Sequence, residues 1–90
     1  MELDRERTAS AVNRLKRAQG QLAAIVRMIE EGRDCEDVVT QLAAVSRAVD
    51  RAGFSIIATG MRQCLEREPT DAEGTAADVA RLEKVFLSLA

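Results

Sequence analysis

Apolar residues recur at steps of three and four along most of the chain, which is the spacing of an amphipathic α-helix. The first such stripe consists of Val12, Leu15, Leu22, Val26 and Ile29, widened by Ile25 and Met28. It predicts a helix over about residues 5–31. Gly32 is its predicted C-cap, because glycine accepts the left-handed backbone that ends many helices.

A longer apolar pattern predicts a second helix over about residues 34–68, started by Asp34 as N-cap and ended by Pro69. Its apolar residues fall on two faces. One seam contains Val38, Leu42, Val45, Val49, Ala52 and Ile56, and the second face contains Phe54, Ile57, Met61 and Leu65. A helix that is apolar on two faces needs two neighbours. Since the chain has one other long helix, the second face is predicted to pack on another chain.

A third, shorter stripe of Val79, Leu82, Phe86 and Leu89 predicts a helix over about residues 75–89. The segment from Thr70 to Gly74 is predicted to be a polar turn, and Thr75 with Asp78 resembles a capping box at the helix start. No segment alternates apolar and polar residues as a strand does. The chain is therefore predicted to be all-α, with residues 1–90 forming a single domain.

Two cysteines, Cys35 and Cys64, lie near the two ends of the predicted long helix, 29 positions apart. On one straight helix this spacing puts the sulfurs on the order of 40 Å apart. A disulfide needs Cα atoms within roughly 7 Å, and a shared metal needs thiolates about 2.3 Å from one centre. If the thiols cooperate, Cys35 of one chain meets Cys64 of another, which antiparallel pairing of two copies achieves twice by symmetry. The alternative is that both are inert core residues.

Composition and charge argue against a membrane protein, a secreted protein and an enzyme. No stretch approaches the roughly 18 apolar residues of a membrane span, and the N-terminus lacks an apolar signal core, so a cytoplasmic protein without membrane contact is expected. The net charge is −2, yet five basic residues against one acid crowd positions 5–17, and such a patch can bind nucleic acid. With no His, no Gly-rich phosphate loop and no triad-like set of residues, an enzyme is not expected.

Four motifs stand close together in the first two predicted helices: Asn13-Arg14-Leu15-Lys16-Arg17, Gly20-Gln21, the segment from Met28 to Cys35, and the segment from Val38 to Val45. Together they resemble the copper-sensing operon repressor family (CsoR type). The resemblance implies a three-helix protomer, an antiparallel dimer whose long helices form a four-helix bundle, and a dimer-of-dimers tetramer. It also implies a transcriptional repressor that binds operator double-stranded DNA and releases it when an inducer reaches the cysteine site.

The copper branch of that family binds Cu(I) through two cysteines and a histidine. Cys35 and Cys64 fall on the cysteine positions, whereas the histidine position falls on Gly60. Two cysteines without histidine resemble the persulfide-sensing branch (CstR type), in which sulfane sulfur links paired thiols of two protomers by di-, tri- or tetrasulfide bridges. Cys35 and Cys64 are accordingly expected to be sensor thiols, with no catalytic role, no cofactor and no metal. Cys35 is expected to attack first, because a helix N-terminus stabilises an anion, with Cys64 as the resolving thiol.

The resemblance also assigns a DNA-binding face to basic residues of the first two helices. They are Arg14, Lys16, Arg17, Arg47 and Arg51. No helix-turn-helix, zinc-finger or basic-zipper pattern is present, so contacts to phosphates and DNA shape are expected to dominate binding. The alternative is that these charges form an ordinary solvated face.

Three functions stay open from the sequence. The first is a repressor released from DNA by persulfide or polysulfide, which links Cys35 to the partner's Cys64. The second is a repressor that responds to Cu(I) through a two-thiolate site made by the same cysteines. The third is a helical oligomer that carries sulfur or metal and does not bind DNA.

Overall fold

Three α-helices account for most of the described chain. The structure is a computed structural model that describes residues 2–67 and 72–89. Helix α1 spans Ala9–Glu30, α2 spans Cys35–Leu65 and α3 spans Ala72–Leu89, and these residues include no strand. The predicted all-α class is confirmed. Helix α2 is central and packs on both other helices, and no helix in the described part of the chain is long and apolar enough to cross a membrane.

Helix α1 begins later than the sequence pattern predicts. The Asp4 carboxylate accepts hydrogen bonds from the backbone N–H groups of Glu6 (2.8 Å) and Arg7 (3.2 Å). This folds the next residues into a turn, so the helix begins at Ala9 and the predicted start at Arg5 is wrong.

The junction between α1 and α2 follows the sequence signals. Gly32 has a φ of +72°, and the Arg33 N–H donates to the Met28 carbonyl at 2.9 Å, which forms a Schellman motif and confirms the predicted C-cap. Asp34 then caps α2, since its carboxylate accepts from the Glu36 N–H at 3.1 Å. Two consecutive caps fix the connection between the helices.

The junction between α2 and α3 differs from the prediction. Helix α2 ends at Leu65, while Pro69, to which the end was assigned, lies outside the described residues. Helix α3 begins at Ala72, inside the predicted turn, so the capping box predicted at Thr75 and Asp78 is wrong. The Asp78 carboxylate is instead engaged by Arg67, at the end of α2.

Small side chains form the contact between α1 and α2. Ala11, Ala18 and Ile25 recur every seven residues on α1 and are buried, as are Val45 and Ala52 on α2. Small residues allow the two helices to approach closely. The stripe of larger apolar side chains from which the first helix was predicted points away from this contact. Its members are exposed: Val12, Leu15, Leu22, Val26 and Ile29.

Helix α3 lies along the C-terminal half of α2. The rings of Phe54 and Phe86 have centroids 5.4 Å apart, and a Cβ placed on Gly53 would stand 3.1 Å from a Leu89 methyl group. The second apolar face of α2 therefore packs on α3 of its own chain, and the prediction of another chain there is wrong. Leu65, the last predicted member of that face, is exposed.

The segment before α1 is tied to the end of α2. The Gln63 side-chain carbonyl accepts from the Asp4 N–H at 2.9 Å, and its amide donates to the Glu2 carbonyl at 3.1 Å. The Arg7 guanidinium lies 2.5 Å from the Glu66 carboxylate, whose hydrogen bond and charge raise the pKa of Arg7. These contacts are exposed, so they position the segment more than they stabilise the fold.

Candidate thiol site and nucleic-acid interface

Cys35 is the first residue of α2 and is exposed. Its position follows from the cap at Asp34, which ends the preceding loop and starts the helix. Glu36 and Asp37 fill the same first turn. Its exposure leaves the sulfur open to a soft metal or to an electrophilic sulfur compound.

Cys64 occupies the last turn of α2 and has no exposed surface within the chain (0%). It is separated from Cys35 by about eight whole helical turns, so the two thiols lie on nearly the same face of α2, within about 20° of each other. One face thus carries an exposed thiol at one end and a buried thiol on the order of 40 Å away at the other. The structure keeps the two thiols apart in one chain, as their spacing predicts.

The donors around the thiols limit which metal they could bind. Within residues 2–67 and 72–89, no group of three or more His, Cys, Asp or Glu side chains is placed to hold a metal ion. Gly60, one turn before Cys64, is buried and offers no side-chain donor. A metal at these thiols would therefore have to accept two sulfur ligands, which suits the soft Cu(I) ion better than harder metals.

A continuous apolar surface covers one side of α1 and reaches α2. A groove there has a volume of about 460 Å³. It is lined by Val12, Leu15, Lys16, Ala18, Gln19, Leu22 and Val49. Exposed apolar surface of this extent on a small domain is typical of a protein–protein interface.

Three of the five predicted DNA-binding residues surround one pocket on a different face. Arg14 and Arg17 of α1 and Arg51 of α2 line a cavity of about 290 Å³, together with Gln21 and Ala48. None of the ion pairs among the described residues involves these three arginines. Their charges are available to an anion, and guanidinium groups bind phosphate oxygens in a bidentate way.

The other two predicted DNA-binding residues lie elsewhere. Lys16 lines the apolar groove, and Arg47 is exposed but does not line the arginine pocket. Gln21 lines the pocket and was not among the predicted residues. Its spacing was the available signal, because it follows Arg14 by seven positions and Arg17 by four, which places all three on one helical face.

The chain has three helices, a thiol at each end of the central helix and an arginine pocket formed by α1 and α2. These features define a candidate regulatory domain. Residues 7–88 match the family of metal-sensitive transcriptional repressors. The chain belongs to this family, and the resemblance to copper-sensing repressors drawn from its motifs is confirmed at that level. The assignment to a persulfide-sensing branch stays a prediction.

Individual proteins similar to this chain include two copper-sensing repressors and one uncharacterized protein. A protein of Mycobacterium ulcerans (strain Agy99) described as copper-sensing transcriptional repressor CsoR is 36% identical over 72 residues, which are 80% of this chain and 62% of that protein. The copper-sensing transcriptional repressor RicR of Mycobacterium tuberculosis is 37% identical over 65 residues, 72% of this chain and 67% of that protein. The uncharacterized protein YrkD of Bacillus subtilis is 44% identical over 48 residues, 53% of this chain and 76% of that protein. The chain thus spans less than two thirds of the length of the M. ulcerans repressor.

Proposed function

We propose that this chain is a cytoplasmic, DNA-binding repressor whose inducer is Cu(I), held between Cys35 of one protomer and the partner's Cys64. The observation that carries the proposal is the placement of both thiols on one face at opposite ends of α2. Cu(I) accepts two thiolates in a linear arrangement and prefers soft sulfur ligands. The copper-sensing description of the mycobacterial relatives supports the same ion.

Antiparallel pairing of two α2 helices is supported by features of that thiol-bearing face. Cys35, Leu42 and Val49 follow each other at seven-residue steps and are exposed, which is the spacing of a helix–helix seam. Val49 lies at the midpoint between the cysteines and also lines the apolar groove of α1. Pairing around Val49 brings α1 and α2 of two copies into a four-helix bundle and matches each Cys35 with the partner's Cys64. Two such dimers would form the tetramer.

Charge at the two ends of α2 agrees with this pairing. The first turn carries Glu36 and Asp37, whereas the last turn carries Arg62. An antiparallel arrangement brings the acidic start of one helix to the basic end of its partner. Opposite charges that meet in this way select one orientation over the other.

If the apolar groove is the dimer interface, a charge placed in it should weaken dimerisation. Leu22→Glu is expected to weaken dimerisation at least tenfold, because a carboxylate buried without a partner costs several kcal/mol. Sedimentation velocity over a concentration series measures the change. Leu87→Glu, on an exposed position of α3, is the matched control and should leave the assembly unchanged. A wild-type-like assembly for Leu22→Glu would show that this groove is not the interface.

Persulfide or polysulfide is the second candidate inducer, and the observation that favours it is the absence of any histidine in the sequence. The Cys35 thiolate would attack the sulfane sulfur of a persulfide RSSH, which forms Cys35–SSH and releases RS⁻. The partner's Cys64 thiolate would then attack the inner sulfur of Cys35–SSH. This forms a disulfide between the protomers and releases HS⁻, so every sulfur and electron pair is accounted for.

One experiment separates these inducers and also tests the function itself. A duplex selected from a random DNA pool by the protein is bound, and Cu(I) or polysulfide is added under anaerobic conditions. We expect Cu(I) to release the DNA with one ion per Cys35–Cys64 pair and without a change in denatured mass. Release by polysulfide alone, with covalent dimers in the non-reducing mass spectrum, would assign the second inducer. Failure to select any duplex would favour the oligomer that carries sulfur or metal.

A further inference from the structure

The thiol of Cys64 lies beneath other parts of its own chain. It is fully buried in a single chain, although the proposed inducer site needs its sulfur to meet the partner's Cys35. A sensor thiol that no reagent can reach must be uncovered before it reacts. The element that covers Cys64, and the contacts that hold this element, therefore control access to the site.

The neighbours of Cys64 on α2 identify the cover. Ile57 and Met61, two turns and one turn earlier, line a cavity of about 300 Å³ whose other wall includes Glu83 and Phe86 of α3. Arg67, about one turn later, contacts α3 through an ion pair with Asp78 at 2.5 Å. Cys64 lies between these residues along the helix and on the same side. By helix geometry, Cys64 therefore lies on the side of α2 that α3 contacts.

The side of α2 that meets the N-terminal segment is a different one. Gln63 and Glu66 make those contacts, through Asp4 and Arg7. By helix geometry Gln63 stands about 100° from Cys64 around the axis, and Glu66 about 160°. The N-terminal segment therefore contacts a different side of α2, whereas α3 contacts the side that carries Cys64.

Helix α3 is held weakly for an element that buries a reactive group. None of its described residues is itself buried, so little apolar area opposes its release. The interactions that join it to α2 include the Arg67–Asp78 ion pair, the Phe54–Phe86 ring contact and the packing of Leu89 on Gly53. Elements with few buried apolar contacts open locally at low free-energy cost.

We propose that α3 is a lid over the sensor thiol, latched by the Arg67–Asp78 ion pair, and that its release admits the inducer and the partner's Cys35 to Cys64. The ion pair stands beside the thiol and is partly buried, with side chains 26% and 15% exposed. Removing one partner leaves the other charge partly buried and uncompensated, so breaking this pair weakens the α2–α3 contact more than breaking a surface pair would. This inference rests on the proposed function for its biological meaning, but the lid itself is a property of the chain without inducer or DNA.

The test is the rate at which iodoacetamide alkylates each cysteine of the full-length protein, followed by mass spectrometry of peptides without inducer or DNA. Each rate is compared with the rate of the same cysteine in the protein unfolded in urea, because Cys35 is exposed in a single chain but lies in the proposed dimer seam. In the folded wild-type protein we expect Cys64 to react at least tenfold more slowly than in the unfolded protein. Asp78→Ala should accelerate Cys64 about three- to tenfold and leave the Cys35 rate unchanged.

Arg81→Ala is the matched control, because Arg81 approaches the same Asp78 carboxylate at 3.9 Å but lies within α3, so it does not join the helices. A second variant and its control test the lid without changing a charged side chain. Phe86→Ala removes the ring contact with Phe54 and should also accelerate Cys64, whereas Leu87→Ala, at an exposed position of α3, should not. If Asp78→Ala lowers the overall helicity, the comparison of Phe86→Ala with Leu87→Ala tests the lid instead.

The lid is overturned if Cys64 in the folded wild-type protein reacts as fast as in the unfolded protein. It is equally overturned if Asp78→Ala and Phe86→Ala both leave the Cys64 rate within twofold of their controls. Neither result depends on copper, sulfur or DNA. A failure of the lid is thus distinguishable from a failure of the proposed repressor, which the DNA-release experiment measures separately.

Discussion

Removing one guanidinium from the arginine pocket is expected to weaken DNA binding by about tenfold. The variants are Arg14→Gln, Arg17→Gln and Arg51→Gln. All three side chains line one pocket and lack an ion-pair partner among the described residues, so their charge is available to DNA phosphates. Fluorescence anisotropy with the selected duplex measures the affinity. The slope of log affinity against log salt should become less steep by about one for each phosphate that the variant no longer binds.

Substitutions of other basic residues test whether DNA binding depends on the arginine pocket or only on the net charge of the protein. Lys84→Gln, on α3, removes the same charge and should change affinity less than twofold. Lys16→Gln and Arg47→Gln should have smaller effects than the pocket variants, since Lys16 lines the apolar groove and Arg47 lies outside the pocket. Equal effects of all these substitutions would show that net charge alone governs binding.

Cys35→Ala and Cys64→Ala are each expected to abolish the response to inducer while preserving DNA affinity within about threefold. Neither cysteine lies in the arginine pocket, so the DNA-binding surface should persist. Each inducer site needs one thiol from each protomer, so loss of either type empties both sites of a dimer. Cu(I) titration followed by anisotropy checks this, with a tenfold loss of DNA affinity expected for the wild-type protein, equivalent to about 1.4 kcal/mol of coupling.

Met61→Leu is the control for that experiment. Met61 is a soft sulfur residue one turn before Cys64, and it lines the cavity against α3. Its role there is packing, so the response to Cu(I) should persist in this variant. Loss of the response would instead make the Met61 thioether a ligand.

Periodicity and capping residues predicted the helices, but they could not decide which face meets which neighbour. The caps at Gly32 and Asp34 were predictable because each is a local backbone requirement. The stripe containing Leu22 was equally visible, yet it is exposed in the chain, because Ala11 and Ala18 supply the contact with α2. Small residues give a weak hydrophobic signal even where they form the closest helix contact.

The sequence identified Cys35 and Cys64 as candidate site residues, but it did not predict how deeply each thiol is buried. Helix spacing alone indicated that Cys35 and Cys64 cannot meet in one chain. The complete burial of Cys64 depends on tertiary packing around the end of α2, which no local sequence signal encodes. Sequence periodicity assigns a residue to a helix face. It does not say whether that face meets the same chain or another.

Mixing the two cysteine variants tests the central claim, that Cys35 and Cys64 form one site between protomers. Cys35→Ala and Cys64→Ala proteins are unfolded together, refolded together, treated with the thiol oxidant diamide and analysed by non-reducing intact mass spectrometry. In a mixed antiparallel dimer, one Cys35 meets one Cys64 and the opposite site holds two alanines. We predict a covalent dimer with the mass of one chain of each variant, and no covalent dimer from either variant alone. Covalent dimers within each variant alone, or none in the mixture while the wild-type protein cross-links, would contradict a shared site between protomers.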